Sequence, residues 1–468
     1  MAIDIIIIAI YLLVILGVGW LGWFRAKTRD DYAVAGRRLG PVLFTSTMAA
    51  MVIGGASTVG TIGLGYRYGI SAFWLPTSLG VGLIGLSLLM VSPLIRLKLH
   101  TVTQVFDLRY SPSVKIVGST VMMIYDFMVA VTSMIAIGSI LSVLFNISMK
   151  CSIWSGGSVV VSYAVLGGMW SLTRTDILQF VLKTVGLLFI LMPVSIMHAG
   201  GWRYIVDVLP DSYSSLTAIG WPTIATYFVI YSLGILIGQD IWQRVFTARD
   251  ERVAKWGGVC AGIYCIVWGV MGGVIGMSAR VYLPALENPE SAFVEVIQIV
   301  LPVGIKGLVI AAALAALMST TSACMMATST IAVYDLYAAV AGNEKCTISI
   351  DRFSTFIVGF IMLLVASMIG SVIAALTLAY NILVGALLIP LIGAVFWGKA
   401  SSAGAISAII LGGITVIVFI IQDGLSANTP IYYGLIINVI AFITGSLIRP
   451  DPETRPPLSR LHRGSGDH

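Results

Sequence analysis

Charge is what this sequence has least of: Asp, Glu, Lys and Arg make up 10% of its 468 residues, against roughly a quarter in a soluble globular chain. A mostly water-facing protein is therefore excluded. No polar block is long enough to part the apolar stretches, so one membrane domain is expected over 1–448, with its core at 41–397 and a short cytoplasmic tail at 449–468. Cysteines number five, and their spacing suits neither a metal site nor a disulfide framework, so they read as small hydrophobes. There is no metal-ligand pair, nucleophile elbow or phosphate loop, and no enzyme is expected. Nor does a basic residue precede the first apolar run, whose only early charge is Asp4; that run reads as an ordinary span, not a cleaved signal.

What the chain does have is apolar length, with 58% hydrophobic residues in runs of about 20 that recur from end to end. The fold expected is all-α and integral to the lipid bilayer, with about thirteen transmembrane helices: 4–23, 41–66, 70–95, 115–145, 151–170, 173–198, 222–246, 253–282, 304–338, 353–376, 377–397, 402–422 and 428–448. An odd count puts the N-terminus outside and the C-terminus in the cytoplasm. Of the 27 Lys and Arg, all but Arg67, Lys150, Lys183, Arg203, Arg280 and Lys306 then fall on the cytoplasmic side, as the positive-inside rule demands. The net charge of +6 is thus a topology signal, not a nucleic-acid stripe, and no nucleic-acid partner is expected. A multi-pass protein of the cell (inner) membrane follows. The external segments 199–221 and 283–303 read as amphipathic caps, and the Pro- and Arg-rich tail reads as disordered.

Two spans are punctuated mid-way, the second by Gly54, Gly55, Gly60, Gly63 and Gly65, the seventh by Gly234 and Gly238. Glycine loosens a helix and bares backbone groups that hydrocarbon does not satisfy. Five spans apart, these two run in opposite directions, so broken helices of an inverted five-helix repeat are one reading, with a site near the midplane. Close helix packing is the other. On span 9, Ala316, Ser319 and Thr320 share one helical face, offering either a partial oxygen shell for sodium or hydroxyls bonded back to their own helix. Asp126 lies about 16 Å into span 4, and Lys183 about 15 Å into span 6, counted at 1.5 Å per residue. A charge at that depth costs on the order of 3 kcal/mol. Two accounts stand: an Asp126–Lys183 ion pair joining the helices, or a role in substrate or proton binding. Lys183 follows Asp176 by seven residues, which puts both on one face.

Five stretches resemble the sodium:solute symporter family, which includes the bacterial proline and animal glucose symporters. They are DDYAVAGRRLGP from Asp30, AAMVIGGASTVGTIGLGY from Ala49, LGGMWSLTRTDILQ from Leu166, GQDIWQRVFTARD from Gly238 and LAALMSTTS from Leu314. The resemblance implies a leucine-transporter-like core of spans 2 to 11 that couples transport to sodium. It places the ion on the carbonyls of Ala50, Ile53 and Ala316 and the hydroxyls of Ser319 and Thr320. A further sodium in some members uses positions that match Asp176 and Ser322, but Ala323 stands where another hydroxyl would be. Where sugar-transporting members carry amides and a carboxylate, this chain has Ser57, Pro76 and Gly238, which argues against a sugar.

The function expected is cation-coupled symport of a small organic solute, such as an amino acid or other organic ion, by alternating access. Sodium is the expected ion, and a proton carried by Lys183, which could replace sodium electrostatically, is the alternative. Asp176 and Lys183 are the coupling candidates, and Ser57, Tyr125, Asp126, Tyr231 and Gln239 the cavity candidates. A transporter-like solute sensor is the competing class; sensors of this kind usually continue into a signalling domain, and only about 20 residues follow the last span.

Overall fold

The computed structural model describes residues 2–342, 346–368, 372–424, 427–451 and 456–458. Among them the chain is helical throughout, with one isolated bridge, Leu39 to Ala248, and no strand. Ten helices are long and apolar enough to cross a membrane, or eleven if the bent pair Trp221–Ile235 and Gln239–Val245 counts as one. Two of those stretches turn part-way along. Met149–His198 has 50 residues, about 75 Å of helix against a hydrocarbon core of about 30 Å. It turns at Gly168, whose φ of +52° combined with a ψ of −137° suits glycine and whose missing Cβ leaves room for the carbonyl of Tyr32. Ala56–Leu89 likewise runs through a tight turn at Gly69–Phe73.

The helices that matter below are α1 (Ala2–Trp23), α2 (Pro41–Val52), α3 (Thr61–Tyr68), α4 (Trp74–Leu89), α5 (Pro112–Phe145), α6 (Met149–Lys183), α7 (Trp221–Ile235), α8 (Gln239–Val245), α9 (Glu251–Tyr282), α10 (Ile305–Ile331), α11 (Ile348–Ala366), α12 (Val372–Phe396), α13 (Ser402–Asp423) and α14 (Thr429–Ile448). Local signals set several starts. Pro41 and Pro112 open α2 and α5, where a missing N–H costs nothing. Asp250 caps α9 by accepting from Val253 N at 2.8 Å.

The helices pack as two groups that meet along α2. α9 lies against α2, α3 and α4, with α7 packed on α4; α5, α6, α10 and α11 form the other group. α10 is the most enclosed, with almost every residue from Val309 to Ile331 buried. α1 covers α6 and α10 from outside, while α13 and α14 pair against α12, where the Asn438 amide donates to the carbonyls of Gly385, Ala386 and Ala408 at 2.8–2.9 Å. Outward faces carry Ile6, Leu13, Ile414, Ile421, Ile436 and Ile440 exposed, a surface that only lipid covers. The protein is a multi-pass membrane protein.

Both expected helix breaks are present. The second span stops being regular helix at Ile53 (φ −94°, ψ 86°), and the seventh bends by 47° between Ile235 and Gln239. Three expectations need correction. The boundary between spans 10 and 11 falls after Ala366, about ten residues before the expected 376/377, because the apolar run is continuous there and hid the turn at Ser367. The tail at 449–468 lies mostly outside the described residues, but Leu458 is buried and its N–H meets Ala394 O at 3.4 Å, so this part is docked. The third concerns Asp126 and Lys183.

Candidate functional site: a helix break, a buried ammonium and a tyrosine-lined cavity

The break after α2 frees carbonyls, and side chains from the opposite helix group meet them. Ser319 of α10 donates to Ala50 O at 2.8 Å and to Ala316 O at 3.0 Å, while Thr320 donates to Met51 O at 2.6 Å. The approach is close enough to require glycine at 54, where a Cβ would come within 2.5 Å of Thr320 Oγ1. The positions expected to hold sodium do converge. Among them stands Lys183: its ammonium donates to Ala49 O at 3.1 Å, Ala50 O at 2.8 Å and Ile53 O at 3.4 Å, with the Trp268 ring centroid at 5.4 Å. The side chain is fully buried.

Lys183 is therefore not the partner of Asp126. The helices do carry opposite charges at similar depth, but the lysine turns to backbone oxygens, which a search for a counter-charge does not see. Asp126 is fully buried too, and neither of its oxygens accepts a hydrogen bond from a side chain. Asp176 serves another end: it accepts from Thr47 and pairs with Arg244 at 3.2 Å, both partners buried, which ties α6 to α2 and α8. Ser322 donates to Ser319 O at 3.1 Å, within α10.

Beside the break lies an inner cavity of about 40 Å³, lined by Ser57, Tyr231, Tyr380, Asp240 and Thr320 among others. It shares Ala56, Leu75, Tyr231 and Leu376 with an outer cavity of about 200 Å³ that reaches Thr223 and Asn428. Of the five cavity candidates, Ser57 and Tyr231 line the inner cavity, with the Ser57 hydroxyl on Gly54 O at 3.2 Å. Tyr125 sits behind Tyr380, their rings edge-on at 5.1 Å, and Asp126 sits behind Asp240. Gln239 faces away. Its amide donates to His100 O at 3.1 Å and accepts from Val102 N at 2.7 Å, binding the 96–103 loop to α8.

That loop is held again by Asp335, which accepts from Thr101 at 3.0 Å and Thr103 at 2.6 Å. Nearby, Arg29 pairs with Asp351 at 3.0 Å and His100 meets Asp30 at 2.6 Å. These bonds seal the junction of the 96–103 loop with α8 on the side that carries these charges, and none of these charged residues lines the inner or the outer cavity. Burial of the imidazole pulls the His100 pKa below its ordinary value. Asp240, Arg244 and Cys324 are site residues that the sequence reading passed over. Asp240 and Arg244 were legible, since a charge straight after a glycine break in GQDIWQR has few places to go.

A model of the sodium:solute symporter family matches residues 32–412. The chain belongs to this family. Its relatives include the osmoregulated proline transporter OpuE of Bacillus subtilis, 27% identical over 97% of this chain and 96% of that protein, and the sodium/proline symporter of Staphylococcus aureus, 24% identical over 95% and 91%. Among solved structures, a Na+-coupled sialic acid symporter in a substrate-bound outward-open state superposes with a TM-score of 0.85 at 19% identity, covering 97% of this chain and 99% of its own. The nucleobase-cation-symport transporter Mhp1, in a closed conformation, gives 0.55 at 14% identity, covering 90% and 95%. These likenesses carry the fold. Symporters are transporters, not enzymes, and membership supports sodium-coupled symport of a small solute across a membrane.

Proposed function

We propose that this symporter takes up a small organic solute by alternating access, and that the Lys183 ammonium stands where the family's sodium would sit, so that the proton it carries is the coupling ion. The observation behind this is the ring of three carbonyls, Ala49, Ala50 and Ile53, at 2.8–3.4 Å around Nζ. An ammonium there satisfies the freed oxygens and bridges the two helix groups, as a bound cation would. Loss of its proton removes that bridge and lets the groups rock apart. A second reading keeps sodium: Ser319 and Thr320 supply hydroxyls at the break, and an incoming ion would displace the lysine.

Uptake into sealed vesicles separates the two. With L-proline as the first solute, followed by other amino acids and organic amines, uptake is expected to persist when potassium replaces sodium at fixed pH and to collapse with a protonophore. Uptake that stops without sodium and ignores the protonophore favours the second reading.

We place the N-terminus and the 199–221 segment outside the cell membrane, and the sealed side in the cytoplasm, on the strength of the basic residues. With the native cysteines removed, Ser212→Cys is expected to react with an impermeant thiol reagent on intact cells and Lys399→Cys only after lysis; both side chains are exposed. The reverse pattern would invert the topology.

A further inference from the structure

The geometry points to a seat for a positively charged group at Asp126 and Asp240, and to the solute's own ammonium as that group, which makes the transported class organic amines. This deepens the transport reading and rests on it. One oxygen from each carboxylate and the Cys324 sulfur lie within 4.8 Å of one another, on α5, α8 and α10. Asp126 is fully buried and Asp240 is 3% exposed. Cys324 is the one side chain that donates to them, its thiol meeting Asp240 Oδ2 at 3.6 Å.

No cation in the described residues forms a salt bridge with either carboxylate. Arg244, one turn along α8 from Asp240, is held by Asp176 at 3.2 Å, and Lys183 is held by the α2 carbonyls. Two buried carboxylates with no salt-bridge partner cost several kcal/mol each in such a place, so a cation has a strong reason to sit there. The fully buried Tyr125 hydroxyl and Asp240 Oδ1 converge on the same point beside Gly238, 3.4 and 2.7 Å from where a Cβ would be.

The chemistry of the approach selects the cation. Asp240 lines the inner cavity, whose lining includes no lysine, arginine or histidine to receive an anion. Tyr380 meets Tyr125 and Tyr231 edge-on, each at 5.1 Å, so three aromatic rings lead from the carboxylates to the outer cavity. Aromatic faces attract an ammonium that bears carbon, whereas bare sodium is better served by oxygens such as those at the helix break. At about 40 Å³ the inner cavity takes a small head group, and the outer cavity has room for what is attached to it.

The test is thermal unfolding of the purified full chain with tens of millimolar methylammonium, pyrrolidinium or tetramethylammonium chloride, against potassium chloride at equal ionic strength. At least one of the three is expected to raise Tm by about 2 °C. The shift should vanish in Asp126→Asn and in Asp240→Asn and survive in Lys183→Ala. A second arm needs no variant: pyrrolidinium should stabilise the wild type, and tetrahydrofuran, the same ring without charge, should not. An Asp126-dependent shift with sodium or zinc, and none with the amines, would assign the seat to an inorganic ion and overturn the proposal. So would equal effects of pyrrolidinium and tetrahydrofuran, or no shift with any of the amines. Because this is equilibrium binding, its outcome is independent of whether uptake is driven by protons or by sodium.

Discussion

Lys183→Ala is expected to turn a sodium-indifferent protein into one whose Tm climbs with sodium. Truncation removes the ammonium and leaves the carbonyls of Ala49, Ala50 and Ile53 facing an unfilled space, with the Ser319 hydroxyl still on Ala50 O at 2.8 Å. A buried polar group left without a partner costs about 1–3 kcal/mol, so the variant should be clearly less stable than the wild type in sodium-free buffer. Sodium, a hard cation that prefers oxygen ligands, can fill that space. At a hundredfold excess over its Kd it would return about 2.7 kcal/mol. Lys183→Met, of similar length but uncharged, should lose stability and gain no sodium response, because the side chain fills the space without serving the oxygens. Adding Ser319→Ala to Lys183→Ala should weaken the sodium effect. A wild type stabilised by sodium as strongly as Lys183→Ala would show that the ammonium does not hold the cation position.

A comparably large loss is expected from Arg244→Met. Arg244 and Asp176 are both fully buried and paired at 3.2 Å, and the pair joins α8, beyond the second helix break, to α6. Removing one partner leaves a carboxylate in a low-dielectric interior with only Thr47 to donate to it. Breaking a buried pair in this way costs about 3–5 kcal/mol, enough to cut the folded yield sharply. The double variant Arg244→Met with Asp176→Asn removes both charges, and Thr47 can still donate to the amide oxygen. Most of the folded yield should return. If the single variant folds as well as the wild type, the pair is not holding α8 in place.

The helix breaks could be read from the sequence because glycine punctuates them, and the convergence of Ala50, Ile53, Ala316, Ser319 and Thr320 followed from residues that resemble a family pattern. The depth of Lys183 followed from counting residues at a known rise. Its partner did not, because a carbonyl leaves no mark in a sequence: every residue has one, and only the break decides which are free. The expected Asp126–Lys183 pair failed for that reason. The acidic seat was hidden differently. Asp126, Asp240 and Cys324 sit on three helices far apart in the chain, and only the packing of α5, α8 and α10 shows that they meet. Gln239 misled because the chain turns at Gly238, and the residue after the turn faces the sealed side instead of the cavity.

The most direct measurement of the central claim, that the Lys183 proton takes the place of sodium, is proton movement in sodium-free liposomes reconstituted with the full chain and loaded with a pH-sensitive dye. Addition of a transported solute outside should acidify the lumen in wild-type vesicles and leave it unchanged in Lys183→Met vesicles of equal protein content. Solute uptake with a steady internal pH, accompanied instead by influx of labelled sodium when that ion is supplied, would contradict the account.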